Sequence, residues 1–152
     1  MNTKRVISEN NFHIKKKFGQ NFLTDKKILD KIVSSADIDN TIGVIEIGPG
    51  LGVLTTRLCE AAKHVLAYEI DSELIPILEE NLKDYSNKTI LNIDILEADV
   101  ERDIKMYLSD CSKVYVVANL PYYITTPILL SLLQNAKIDK YVVMMQLEVA
   151  DR

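Results

Sequence analysis

From residue 24 onward, apolar side chains recur by turns at helical spacing and in short β-branched runs. Ile28, Leu29, Ile32, Val33 and Ala36 repeat at helical spacing behind Thr24, a residue type that caps helix starts. Asp37 to Thr41 is polar and reads as a loop. GVIEIG (Gly43 to Gly48) is a strand running into a glycine-rich turn, after which Leu51, Leu54 and Leu58 share one helix face. HVLAYEI (His64 to Ile70) is a second strand, followed by a helix capped by Asp71 or Ser72 with Leu74, Ile75, Leu78 and Leu82 on one side. Pro76 fits that helix only if the first turn lies at Ser72 or later. KTILNI (Lys88 to Ile93) is a third strand, with a mixed acidic helix from Glu97 to Leu108 behind it. KVYVVAN (Lys113 to Asn119) is a fourth, nearly all apolar and so expected inside the sheet. A helix capped by Thr125 or Thr126, with Pro127 early, leads to a fifth strand, KYVVMMQL (Lys140 to Leu147).

Strands alternating with helices in this way predict the doubly wound α/β class, a parallel sheet covered on both faces. Ligands of such sheets bind outside the carboxyl ends of the strands. Gly48, Glu69, Asp94 and Asn119 are therefore the positions to inspect. The chain shows no internal repeat and no low-complexity stretch.

Composition narrows the class further. The 152 residues are 47% hydrophobic and 26% charged, which suits one domain with a sizeable core and excludes disorder. No run approaches the ~20 apolar residues that span a bilayer, and the lysine-rich start lacks the apolar segment of a secretory signal. A cytoplasmic protein without a membrane segment is expected. Cys59 and Cys111 are the only cysteines, and the two histidines lie far apart, so a disulfide scaffold and a closed zinc site are excluded and no metal is expected. Both cysteines are expected as buried small apolar residues. The net charge of −4 conceals an asymmetry: residues 1–31 carry eight Lys and Arg against Glu9, Asp25 and Asp30, leaving that segment at +5 and the rest at −9. A basic arm on an acidic body suits local phosphate contact, which is felt within a Debye length of about 10 Å, or it is simply a solvated terminus.

The turn Glu46-Ile47-Gly48-Pro49-Gly50-Leu51-Gly52 places Val53 where the dinucleotide fingerprint G-x-G-x-x-G needs its third glycine, which disfavours hydride transfer. No G-K-[ST] follows, so a phosphate cradle is absent as well. Glu69 at the second strand end can accept two ribose hydroxyls, or it is a solvated charge. Asp94 can accept from an adenine amino group, or it caps a turn. Three such residues at successive strand ends describe a pocket for an adenosine without phosphates, and S-adenosyl-L-methionine fits that description. In Asn119-Leu120-Pro121-Tyr122 the proline fixes a turn in which two acceptors and a ring can converge on an exocyclic amine and its base; the alternative is an ordinary loop.

With these residues assembled, the sequence resembles the ribosomal RNA adenine dimethyltransferases, and most of all their bacterial small-subunit branch, which dimethylates two adjacent adenosines. The resemblance is carried by FGQNFL (Phe18 to Leu23), EIGPGLG (Glu46 to Gly52), YEID (Tyr68 to Asp71), NIDIL (Asn92 to Leu96), NLPYYITTPIL (Asn119 to Leu129) and MQLEVADR (Met145 to Arg152), in order over essentially the whole chain. Leu120 and the TTPIL tail favour that branch over the large-subunit methyltransferases of macrolide resistance, which more usually carry Ile within N-I-P-Y. The resemblance implies a basic arm with a cofactor-closing motif at residues 1–23 and a Rossmann-like methyltransferase domain at 24–152. It implies that Asn21 and Leu23 close over the methionine end of S-adenosyl-L-methionine and that Gly48 and Gly50 lie beneath it. Glu69 would hold the ribose, Asp94 with Ile95 the adenine, and Asn119 would bridge cofactor and target base. Tyr122 would stack on the flipped adenine, while Asn119 and the Leu120 or Pro121 carbonyl aim its amine. The implied partner is small-subunit rRNA in an immature ribosomal subunit.

Two departures accompany the resemblance. Leu147 stands where the family usually has lysine. The family also continues past the fifth strand with further strands and a helical RNA-gripping domain, so this chain is expected to be the N-terminal catalytic part. Its fifth strand would then be an open edge along which two copies could pair, and alone it would bind cofactor yet fail to methylate ribosomal particles. Two readings of other classes stay open: a non-catalytic RNA-binding or ribosome-assembly module, and a methyltransferase of small molecules or proteins, which would have no use for the basic arm or the N-L-P-Y turn.

Overall fold

The computed structural model describes residues 26–119 and 137–144. Helix α1 (Lys26–Ser35) leads into β1 (Ile42–Ile47), α2 (Val53–Ala61), β2 (His64–Tyr68), α3 (Ile75–Asn81) and β3 (Lys88–Leu91). A single 3-10 turn (Ile95–Glu97) precedes α4 (Val100–Tyr107), and β4 (Lys113–Asn119) and β5 (Lys140–Met144) complete the described elements. The five strands form one sheet in the order β3-β2-β1-β4-β5, and every neighbouring pair is parallel. β1 lies at the centre and is buried along its whole length, as its run of branched apolar residues requires.

Alternation along the strands builds two cores. Ile42, Val44, Val65, Tyr115 and Val117 face Leu29 of α1 and Leu54, Leu58 and Cys59 of α2. Ile45, Ile47, Leu66, Tyr68, Val116 and Ala118 face the other way, onto Ile95 and the Ile104 and Leu108 of the α4 segment. No helix among the described residues is long and apolar enough to cross a membrane.

Several element boundaries differ from the pattern-based reading. β2 stops at Tyr68 and β3 at Leu91, although Ile70 and Ile93 prolong the apolar runs. The acidic helix starts later than Glu97: α4 begins at Val100 behind Asp99, which caps it through the Arg102 N–H, while Glu97 ends a separate 3-10 turn that Asp94 caps through the Leu96 N–H. α3 begins at Ile75 rather than behind Asp71 or Ser72, which puts Pro76 in its first turn, where a missing N–H costs nothing. Cys111 is only half-buried, while Cys59 is buried. Thr24, the helix around Pro127 and residues 145–147 of the expected fifth strand lie outside the described residues.

Gly43 is a packing glycine. A Cβ there would sit 2.8 Å from Cys111 Sγ and 3.1 Å from Leu108 Cδ2. Gly43→Ala is expected to destabilise the fold by ~1–3 kcal/mol through overpacking, read as a lower urea midpoint at an unchanged slope. An unchanged midpoint would mean that the Cys111 side chain swings aside freely.

Candidate cofactor site

The register aligns Ile47 with Tyr68 and with Ala118, and Tyr68 with Leu91, so β1, β2, β3 and β4 end side by side. Their following residues line one edge. The chain leaves β1 through three glycines with positive φ, Gly48 (71°), Gly50 (61°) and Gly52 (86°), a backbone that other residues adopt only at a cost. Their tasks differ. The Gly48 N–H donates to the Tyr68 carbonyl at 2.9 Å, extending the ladder by one step. A Cβ at Gly50 would meet nothing within 4 Å, so this glycine borders open space. A Cβ at Gly52 would lie 2.8 Å from Leu78 Cδ1, so this one lets α2 start against α3.

Opposite the turn stands Glu69, 4% exposed. Its Oε1 accepts the Gly50 N–H at 3.0 Å and its Oε2 accepts the Asp71 N–H at 3.0 Å. The carboxylate is thus held in one orientation by backbone donors on both sides. The reading of Glu69 as a merely solvated charge does not survive this burial.

The next strand end is built differently. After Leu91 the backbone ladder is replaced by a side chain: Asn92 Nδ2 donates to the Glu69 carbonyl at 2.8 Å and to the Ile70 carbonyl at 3.3 Å. Asp94 is therefore three residues beyond the strand rather than at its end. One of its oxygens accepts the Leu96 N–H at 2.9 Å, so Asp94 does cap a turn, and the cap occupies Oδ1. The Ile95 side chain is buried in the core, which leaves only its backbone for a ligand. Ile70, 66% exposed beside Glu69, is an apolar surface at this edge that the sequence reading passed over. Its signal was present in the sequence, an apolar residue wedged between two acids.

Beneath the turn, Glu46 is 3% exposed and accepts the Thr55 hydroxyl of α2. Burial pushes its carboxyl up to about 8, and the Glu69 charge adds to the rise while the Thr55 bond opposes it. Burial therefore favours the neutral form of Glu46.

Asn119 is the last residue of β4, paired in register with Met144 of β5, which brings its backbone to the same edge. Asn21, Leu23, Leu120, Pro121 and Tyr122 lie outside the described residues. A cavity of about 490 Å³ bordered by Asp30, Asp37, Asp39, Arg57 and Glu60 opens between α1 and α2 and includes none of the residues that follow the strands.

This edge of the sheet thus brings together an anchored carboxylate at Glu69, the glycine turn with Gly50 beside open space, the exposed Ile70 and a second carboxylate at Asp94. Residues 11–152 match the family model described as ribosomal RNA adenine dimethylase. The chain belongs to the ribosomal RNA adenine dimethylase family. Within it, the chain is 54% identical over 99% of its length to the ribosomal RNA small subunit methyltransferase A of Staphylococcus haemolyticus and 56% identical to that of Macrococcus caseolyticus, covering 51% of each. It thus spans about half the length of the curated relatives it matches. Among solved structures it is similar to the 23S rRNA methyltransferase ErmE, with a TM-score of 0.70 and 32% identity over 85% of this chain and 49% of that one. The parallel sheet is accordingly the α/β methyltransferase sheet of the ribosomal RNA adenine dimethylase family.

Proposed function

We propose that this protein transfers methyl groups from S-adenosyl-L-methionine to the exocyclic amines of two adjacent adenosines in small-subunit rRNA, as a step of ribosome maturation in the cytoplasm. The observation that carries the reading is the Glu69 carboxylate, clamped between the Gly50 and Asp71 N–H groups and facing an open glycine cradle. A ribose diol needs such a bidentate acceptor in a dinucleotide as in S-adenosyl-L-methionine, and Val53, in place of the third glycine of the dinucleotide fingerprint, favours the latter.

When bound, S-adenosyl-L-methionine supplies an electrophilic methyl group on a sulfonium. The chain's own part is placement. Glu69 accepts the ribose hydroxyls, Asp94 and the Ile95 backbone take the adenine edge, and Gly48 and Gly50 let the methionine portion approach the backbone. Asn21 and Leu23 close over that portion. Asn119 and the Leu120 or Pro121 carbonyl accept the two N–H bonds of the target amine and favour its pyramidal form, while Tyr122 holds the flipped base. Orientation of this kind supplies several kcal/mol without a strong general base, and ring stacking offsets part of the few kcal/mol spent on unstacking the base.

The relatives support the small-subunit branch. Those named small subunit methyltransferase A are 54% and 56% identical, against 32% for ErmE. The likeness to ErmE supports a second reading, methylation of large-subunit rRNA. One assay separates them: labelled S-adenosyl-L-methionine with small-subunit particles and, in parallel, with large-subunit rRNA, both from cells lacking the modifications. Dimethyladenosine in the small-subunit RNA is expected. Label in the large-subunit RNA alone would move the protein to the second reading, and cofactor binding without transfer to either would leave the non-catalytic one.

Tyr122→Ala in the full-length protein is expected to lower methyl transfer tenfold or more while cofactor affinity stays nearly constant, because one base stack is worth ~1–3 kcal/mol. Calorimetry beside the transfer assay checks it. Equal loss of both would place the ring at the cofactor.

A further inference from the structure

We propose that Tyr68 and Asp103 are a positioning pair that sets the spacing between the ribose and adenine halves of the cofactor site without touching the ligand; the proposal rests on the adenosine-site reading above. Tyr68 ends β2, and the residue after it is Glu69. Its carbonyl accepts the Gly48 N–H at 2.9 Å, while its side chain enters the core shared with Ile95 and Ile104. There the hydroxyl donates to Asp103 Oδ2 of α4 at 2.7 Å. The two residues are 2% and 4% exposed, and burial together with the Asp103 bond raises the phenol above its ordinary range, so it stays a donor.

The placement of this bond is what gives it a role. Asp94 and Ile95 lie on the segment between β3 and α4. At its near end that segment is pinned by Asn92, whose amide donates to the Glu69 and Ile70 carbonyls. At its far end it is pinned by Asp103, which accepts from the residue before Glu69. The adenine-facing residues are therefore suspended between two attachments to residues 68–70, the stretch that carries the ribose acceptor. A carboxylate in this core is costly, since besides the phenol its ion pair is Arg102 Nε at 3.6 Å from Oδ1. An apolar pair of similar volume would fill the space at lower cost but would fix no direction, whereas a buried hydrogen bond holds one distance and angle.

Binding of S-adenosyl-L-homocysteine, followed by calorimetry beside thermal unfolding of the ligand-free protein, tests the pair. Tyr68→Phe is expected to weaken binding about tenfold. Because that variant strands a buried carboxylate and could unfold, Tyr68→Phe with Asp103→Leu is the companion: it should unfold near the parent's midpoint yet bind about tenfold more weakly. Asp103→Asn, whose amide oxygen still accepts the hydroxyl, should bind like the parent. A double variant that is stable and binds like the parent overturns the proposal and leaves the pair as packing, as does an Asp103→Asn loss equal to that of Tyr68→Phe. A parent that binds no S-adenosyl-L-homocysteine overturns the adenosine-site reading itself, and the pair with it.

Discussion

Replacing Glu69 with alanine is expected to weaken binding of S-adenosyl-L-homocysteine by at least about 100-fold, since two hydroxyl bonds to a charged acceptor are worth ~1.5–3 kcal/mol each and 1.4 kcal/mol is a factor of ten. The loss should exceed that of an ordinary surface contact because the carboxylate also organises its neighbours. Without it the Gly50 N–H and the Asp71 N–H lose their acceptors, and the glycine turn and the start of the next loop lose their shared anchor. Glu69→Gln is an informative intermediate. Its amide oxygen can serve one of the two backbone donors, but its NH2 then points at the other, so an affinity between parent and alanine variant is expected. Titration calorimetry on the three proteins orders them. Equal dissociation constants for all three would remove the carboxylate from the site and leave the backbone clamp as a purely structural device.

The residues that carry this prediction were visible in the sequence because strand ends are marked by chemistry. Glycines after β1 and acids after β2 and near β3 interrupt apolar runs, and the parallel sheet brings such interruptions to one edge. Hydropathy could not show where the ladder stops. Ile70 and Ile93 read as continuations of their strands, yet the bonds that would continue β3 are made by the Asn92 side chain, a substitution that leaves the apolar pattern unchanged. Glu97 to Leu108 reads as one helix because Val100, Ile104 and Leu108 keep a helical period, whereas the Asp99 cap sets Glu97 apart, at the end of a 3-10 turn capped by Asp94. Long-range pairs leave no local trace. Tyr68 and Asp103 are thirty-five positions apart, and nothing near either residue announces the other. Glu46 is an intermediate case: an acid within an apolar strand signals burial, but the sequence alone does not say whether it stays charged.

That charge state makes the stability of the protein depend on pH in a direction opposite to the usual carboxylate. Glu46 has an ordinary value of 4.5 when the chain is unfolded and about 8 when it is buried beneath the glycine turn, chiefly by loss of water, with the Glu69 charge in support and the Thr55 bond opposing. Between these values the folded protein binds one proton more than the unfolded chain. The contribution of Glu46 is therefore complete below about pH 4.5 and is lost as pH rises through 8, at up to about 1.4 kcal/mol per pH unit. His64 slopes the other way: burial lowers its pKa from 6.5, so its contribution is present above that pH and fades as pH falls. Comparison with Glu46→Gln separates the two, because the variant keeps His64, stays neutral throughout, and still offers an amide oxygen to the Thr55 hydroxyl. Urea unfolding from about pH 5 to about pH 8 should show the parent losing stability relative to the variant by several kcal/mol across the window. A constant difference between the two proteins would mean that Glu46 is ionised in the folded state. The Thr55 hydroxyl would then be holding a buried anion rather than a neutral acid.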